Sequence, residues 1–117
     1  MRPSSAKQKG RLFQQWVRDL LIKVAGGSLE PDDIRSTSMG AGGEDIQLSP
    51  AARKMYPYSI ECKAVERLNI WDAIKQAKDN SRGFIPLVFF RKNRHEAWVA
   101  MPADKFMELV HGHTEDF

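Results

Sequence analysis

The sequence predicts one α/β domain, with a central mixed β-sheet flanked by helices in the order α-β-β-α-β-β-α. Three observations predict it. Apolar residues recur at helical spacing near both ends of the chain. Two short alternating segments follow a glycine-rich stretch, and Ile85 to Phe90 is a nearly continuous apolar run of the kind a buried strand shows. A length of 117 residues suits a single domain, 1–117, with residues 1–6 expected as a flexible basic tail.

The elements follow in order. Leu12, Phe13, Trp16, Val17, Leu20, Leu21 and Val24 make one apolar stripe. Ser4 or Ser5 is placed to cap that helix, and Gly26-Gly27 stops it. Residues 27–44, rich in Gly, Ser, Asp and Pro, read as loop. Asp45 to Leu48 alternates as a short strand, and residues 51–58 form a turn or loose helical segment. Tyr58 to Val65 reads as a second strand, with Ile60, Cys62 and Ala64 on one face and Glu61 and Lys63 on the other. Asn69 caps a helix over 70–80 with Ile70, Trp71, Ile74 and Ala77 inward. Ile85 to Phe90 and Glu96 to Met101 form a hairpin around a basic turn, and Pro102 opens a last helix through Phe106, Leu109 and Val110.

Composition narrows the function classes. One cysteine excludes an internal disulfide framework. No apolar run approaches the roughly 20 residues of a membrane span, and the basic start lacks an apolar signal core. The expectation is an intracellular, cytoplasmic protein. The net charge of +3 hides a pattern: residues 1–23 carry +5, residues 30–50 carry −4, and Arg91 to Arg94 adds +3. Residues 95–117 carry −4. Basic segments beside acidic ones suit a protein that grips phosphates and concentrates cations, though a solvated surface of mixed sign fits as well.

The chemistry centres on three residues. Asp45 opens a strand, and Glu61-Cys62-Lys63 begins sixteen positions later. If the two strands are hairpin neighbours, Asp45 lies within cross-strand reach of the Glu61/Lys63 face. Two carboxylates and a backbone carbonyl, that of Cys62, make a hard oxygen site suited to Mg²⁺ or Mn²⁺. Lys63 would orient a water and offset phosphate charge. The competing reading is an exposed Glu–Lys pair on a solvated sheet face.

Gly-x-x-Gly-x-Asp-Ile, then Ile-Glu-Cys-Lys, then a helix bearing Gln-Ala resembles the PD-(D/E)XK nuclease superfamily, closest to archaeal and phage-type Holliday junction resolvases. Lys9-Gly10-Arg11-Leu12-Phe13 is similar to the first helix of that group, and Ser36 to Gly43 to its Ser/Gly-rich loop. The resemblance covers roughly residues 7–101. It implies a restriction-endonuclease-like core and Mg²⁺-dependent hydrolysis of phosphodiesters, leaving a 5′-phosphate and a 3′-hydroxyl. It further implies branched DNA as substrate, a homodimer, and no small-molecule cofactor. A prokaryotic or phage origin follows from the resemblance alone, so the compartment for a phage protein is the host cytoplasm. Asp45 and Glu61 match the metal-binding acids, Lys63 the lysine, and Gln76 a helix glutamine near the site. The group's first-helix Glu is replaced here by Gln14 or Gln15; a glutamine carbonyl can ligate but carries no charge. Nicked, flap or single-stranded DNA are alternative substrates, and a non-catalytic DNA-binding module with a decayed site is an alternative of another class.

Outer residues are assigned accordingly. Lys7, Lys9 and Arg11 are expected on DNA phosphates, with Ser36, Ser38, Gly42 and Gly43 at the backbone near the site. Arg91, Lys92 and Arg94 are expected at a hairpin tip. Trp16, Trp71 and Trp98 are expected in the core, and Cys62 as a buried inert thiol. Phe106, Met107 and Val110 are candidate dimer contacts.

Overall fold

The computed structural model describes residues 3–37 and 43–115. Helix α1 (Pro3–Ala25) begins earlier than the sequence predicts, so Ser4 and Ser5 lie inside it and residues 3–6 are helical. Phe13, Val17, Leu21 and Ala25, spaced by four, are its buried line. Leu12, Trp16 and Val24 fall on its exposed flank instead. Gly26, at φ +62°, closes the helix in a conformation that a side chain would oppose.

The stretch read as loop carries structure. A short 3₁₀ turn (Pro31–Asp33) leads into β1 (Ile34–Ser36), which pairs antiparallel with β2 (Ile46–Leu48). Strand β1, three residues within a Ser- and Asp-rich stretch, gives too short a pattern to recognise, whereas β2 falls within the strand expected over 45–48; Ile34 and Ile46 are both buried. Helix α2 (Pro50–Met55) follows, capped by Ser49, whose oxygen accepts from the Ala52 N–H. The same hydroxyl donates to Asp33 Oδ1 at 2.7 Å, tying α2 to the 3₁₀ turn.

The main sheet has the order β3-β4-β5. Strand β3 (Tyr58–Ala64) runs parallel to β4 (Ile85–Arg91), with α3 (Ile70–Asp79) as the crossover. Strand β5 (Trp98–Ala100) returns antiparallel and forms the far edge. Asn69 caps α3 through its side-chain oxygen, as expected. Helix α4 (Ala103–Glu115) ends the described chain. The molecule is thus an α/β fold with one mixed and one antiparallel sheet flanked by helices.

The core has two layers. Helix α1 covers Ile60, Cys62, Leu87 and Phe89 on one sheet face. Ala73 and Ala77 of α3 pack on Val88 on the other. Those alanines, rather than Trp71, form the inward line of α3. Trp71 is 76% exposed and Trp98 60% exposed, and Trp16 also reaches solvent, so the expected core tryptophans are surface residues. No described helix is long and apolar enough to cross a membrane.

Candidate metal centre

Register fixes the site. Glu61 is paired with Val88, so its side chain projects to the α3 face, while Cys62 points to the α1 face. The alternation read from sequence is therefore present. The solvated face is not: Glu61 is 0% exposed.

Asp45 arrives by a different route from the expected hairpin. Strand β2 pairs with β1 rather than β3. The residue just before β2 docks on the open edge of β3: the Asp45 N–H donates to the Ile60 carbonyl at 3.0 Å, and the Cys62 N–H donates to Asp45 Oδ2 at 2.7 Å. Backbone groups of Ile60 and Cys62 thus face this edge. The Cys62 carbonyl projects to the same side of the strand as its N–H, and so to this edge. Gly43, at φ +90°, turns the chain immediately before.

The two carboxylates lie within hydrogen-bonding reach of each other. Burial, and then the Asp45 charge, push the Glu61 carboxyl up to about 7. Burial likewise raises Asp45, opposed by the Cys62 N–H bond. Asn80 Nδ2 donates to Glu61 Oε1 at 3.0 Å, whereas Glu61 Oε2 is buried without a partner. An orphaned carboxylate oxygen beside a second acid is a site short of positive charge. Lys63, one strand repeat along on the same face, is half-buried and makes no ion pair among the described residues. Its charge is felt at both acids as a smaller, opposing influence.

An open cleft of about 500 Å³ adjoins this edge, lined by Gly43, Asp45, Asp72, Gln76, Asp79 and Asn80, together with Lys75. Gln76 is therefore at the cleft, as expected. Asn80 was not anticipated; it sits one turn beyond Gln76, and that spacing along a capped helix is the signal that would have found it. Asn80 also donates to the Gly43 carbonyl at 3.3 Å, joining the helix end to the loop. The Asn80→Ala variant is expected to keep its fold while weakening Mn²⁺ binding about tenfold, read by circular dichroism and calorimetry.

Glu44, next to Asp45, is engaged by arginines instead. Its carboxylate is buried between Arg53 at 2.7 Å and Arg82 at 3.3 Å. Arg53 also donates to the Tyr58 carbonyl and stacks on Phe84. The Arg53→Ala variant leaves Glu44 buried with only the exposed Arg82, and a loss of about 3 kcal/mol is expected in urea unfolding.

The other assigned residues disperse. Gln14 is buried on α1 with Oε1 unpartnered, and no hydrogen bond joins it to either acid. Its helix covers the Cys62 face, opposite Glu61. Lys7, Lys9, Arg11 and Ser36 do not line the Asp45 cleft. Lys9 lines a separate cavity with Arg91 and Lys92, at the carboxyl ends of β3 and β4. Ser36 is a β1 residue opposite Ile46. Ser38 and Gly42 lie outside the described residues. Arg91 belongs to β4, not to the turn, and packs over the Phe13 and Trp16 rings at 4.8 and 5.6 Å. Burial raises the Cys62 thiol, which suits an inert core residue.

The donor set fits a hard divalent cation: two carboxylates, one of them with an unpartnered buried oxygen, and a carbonyl on the same edge. No group of three His, Cys, Asp or Glu side chains among the described residues is so placed. No protein-family model, curated protein or solved structure matches the chain.

Proposed function

We propose that the chain is a divalent-cation-dependent DNA endonuclease of the PD-(D/E)XK type with a restriction-endonuclease-like core. Its preferred substrate is a four-way junction, and it acts as a homodimer. One observation carries the chemistry: Glu61, fully buried, faces Asp45 across the β3 edge with an oxygen that lacks a donor. The substrate assignment rests on the sequence resemblance.

Asp45, Glu61 and the Cys62 carbonyl would hold Mg²⁺, with Mn²⁺ able to replace it. The bound cation would supply Lewis-acid stabilisation of charge on the scissile phosphate. Lys63 hydrogen-bonds the attacking water and orients it towards phosphorus. Water adds, the P–O3′ bond breaks, and the products carry a 5′-phosphate and a 3′-hydroxyl. Asn80 holds the Glu61 carboxylate in place. The cationic α1 start and the Arg91–Lys92 end of β4 offer phosphate contacts beside the Lys63 end of β3.

The test is a panel of labelled substrates: a mobile four-way junction, a flap, single strands and linear duplex, each with Mg²⁺, Mn²⁺ or EDTA. Paired nicks in the junction, absent in EDTA, are expected. Cutting of another substrate would keep the site and change the substrate. Tight binding without cutting under any metal would overturn the enzyme and favour a binding module.

A further inference from the structure

Trp98 on β5 is largely exposed, yet strand pairing gives it defined neighbours. It pairs with Phe90, and Phe90 pairs with Lys63. Paired residues share a sheet face, so Lys63, Phe90 and Trp98 form one row across the sheet on the α3 side. The row lies one strand repeat beyond Glu61 and Val88. With strands about 4.8 Å apart, the Trp98 backbone stands roughly 10 Å from that of Lys63.

Phe90 and Trp98 line a cleft of about 370 Å³ with Val65 and Leu68, at the carboxyl ends of the parallel strands β3 and β4. That is the end at which open α/β sheets take their ligands. The walls are mostly apolar. Arg91 and Lys92 line it too, and they line the adjoining cavity together with Lys9. Among the described residues none of these three cations is held in an ion pair. Two acids face the same cleft: Glu96, and Glu66, whose Oε2 accepts from the Asn93 N–H at 2.6 Å. An aromatic slot beside cations without carboxylate partners matches a flat ring joined to a phosphate.

We propose that this cleft holds an unstacked base of the DNA strand near the cut, with its phosphate on Lys9 and Lys92. Within a duplex both faces of a base are covered by its neighbours, so only an unpaired nucleotide offers a face to Phe90 and Trp98. Every base has such a face, so the cleft selects strand structure rather than sequence. The distance to Lys63 is about three rises of stacked DNA, which puts the unpaired base within a few nucleotides of the scissile phosphate. The preferred substrate therefore carries an unpaired nucleotide beside its cleavage point. That placement rests on the nuclease reading, whereas base binding itself does not.

The test uses branched DNA with one unpaired 2-aminopurine at the branch point, in EDTA, so that no strand is cut. Its fluorescence is expected to fall severalfold on binding, as the base stacks on Trp98. In Trp98→Ala the fluorescence should stay near that of free DNA, and the dissociation constant should rise about tenfold. Trp98→Leu, which keeps an apolar side chain without a ring face, guards against a folding defect and should also lose the quenching. Trp98→Phe should regain most of the affinity. Trp71→Ala, in a different cleft, should change neither readout. Lys92→Ala should lower the salt slope of binding by about one. Quenching without cleavage in Mg²⁺ would sink the nuclease and keep the base site; cleavage without quenching would do the reverse. Undiminished quenching and affinity in Trp98→Ala would overturn the inference and leave the Trp98 face to a protein partner.

Discussion

The Lys63→Ala variant is expected to lose about 10³-fold in cleavage rate with its fold intact. The reason is positional. Lys63 shares the Glu61 face of β3, where its charge opposes that of both acids, and no described carboxylate ties it down in an ion pair. An ammonium held there is free to bond a water and a phosphate oxygen, and losing such a group costs about 4 kcal/mol of transition-state stabilisation. Its removal breaks no ion pair, so urea unfolding is expected to move by less than about 1 kcal/mol. The Lys63→Arg variant keeps the charge but replaces a compact donor with a fork, and is expected to recover activity only in part. A Lys63→Ala variant as active as the unsubstituted protein would remove Lys63 from the chemistry.

The Glu61→Gln variant should be more stable than the unsubstituted protein without metal, and indifferent to metal. Glutamine keeps the acceptor for Asn80 and removes the charge that burial and Asp45 disfavour. The sign follows from the folded carboxyl standing at about 7, above its ordinary 4.5. The unfolded chain ionises first, so stability is greatest at low pH and is lost as pH rises from 4.5 through about 7. Asp33, which the Ser49 hydroxyl and the Glu30 N–H hold low, contributes the opposite slope further down and bounds the window. In EDTA the melting temperature of the unsubstituted protein is therefore expected to fall between pH 5 and pH 8. The penalty is on the order of 3 kcal/mol, or roughly 10 °C, and the variant's profile should be flatter. Mn²⁺ should restore the unsubstituted protein at pH 8 and leave Glu61→Gln unmoved.

Much of this site was legible because strand alternation is strict. Placing Ile60 and Cys62 inward forces Glu61 and Lys63 to the other face, and the structure has them there. The burial of Glu61 was not legible, since it depends on α3 crossing that face through Ala73 and Ala77, a tertiary event. Asp45 does lie beside Glu61, but not through the expected hairpin. Three-residue strands carry too little pattern to show that β1, not β3, takes the β2 ladder. The tryptophans misled for a related reason. Trp71 and Trp98 lie on apolar stripes, but Trp71 lines an open cleft between α3 and β5 and Trp98 a second one with Val65, Leu68 and Phe90, so neither is covered. Glu44 and Asn80 owe their roles to partners distant in sequence, Arg82 and Glu61.

The measurement that tests the central claim most directly is Mn²⁺ binding by calorimetry or electron paramagnetic resonance, without DNA. It would compare the unsubstituted protein with Asp45→Asn, Glu61→Gln and Glu44→Gln. A site built on Asp45 and Glu61 predicts binding that weakens at least tenfold in the first two variants and persists in Glu44→Gln. Equal affinity in all four proteins, or none in the unsubstituted one, would contradict it.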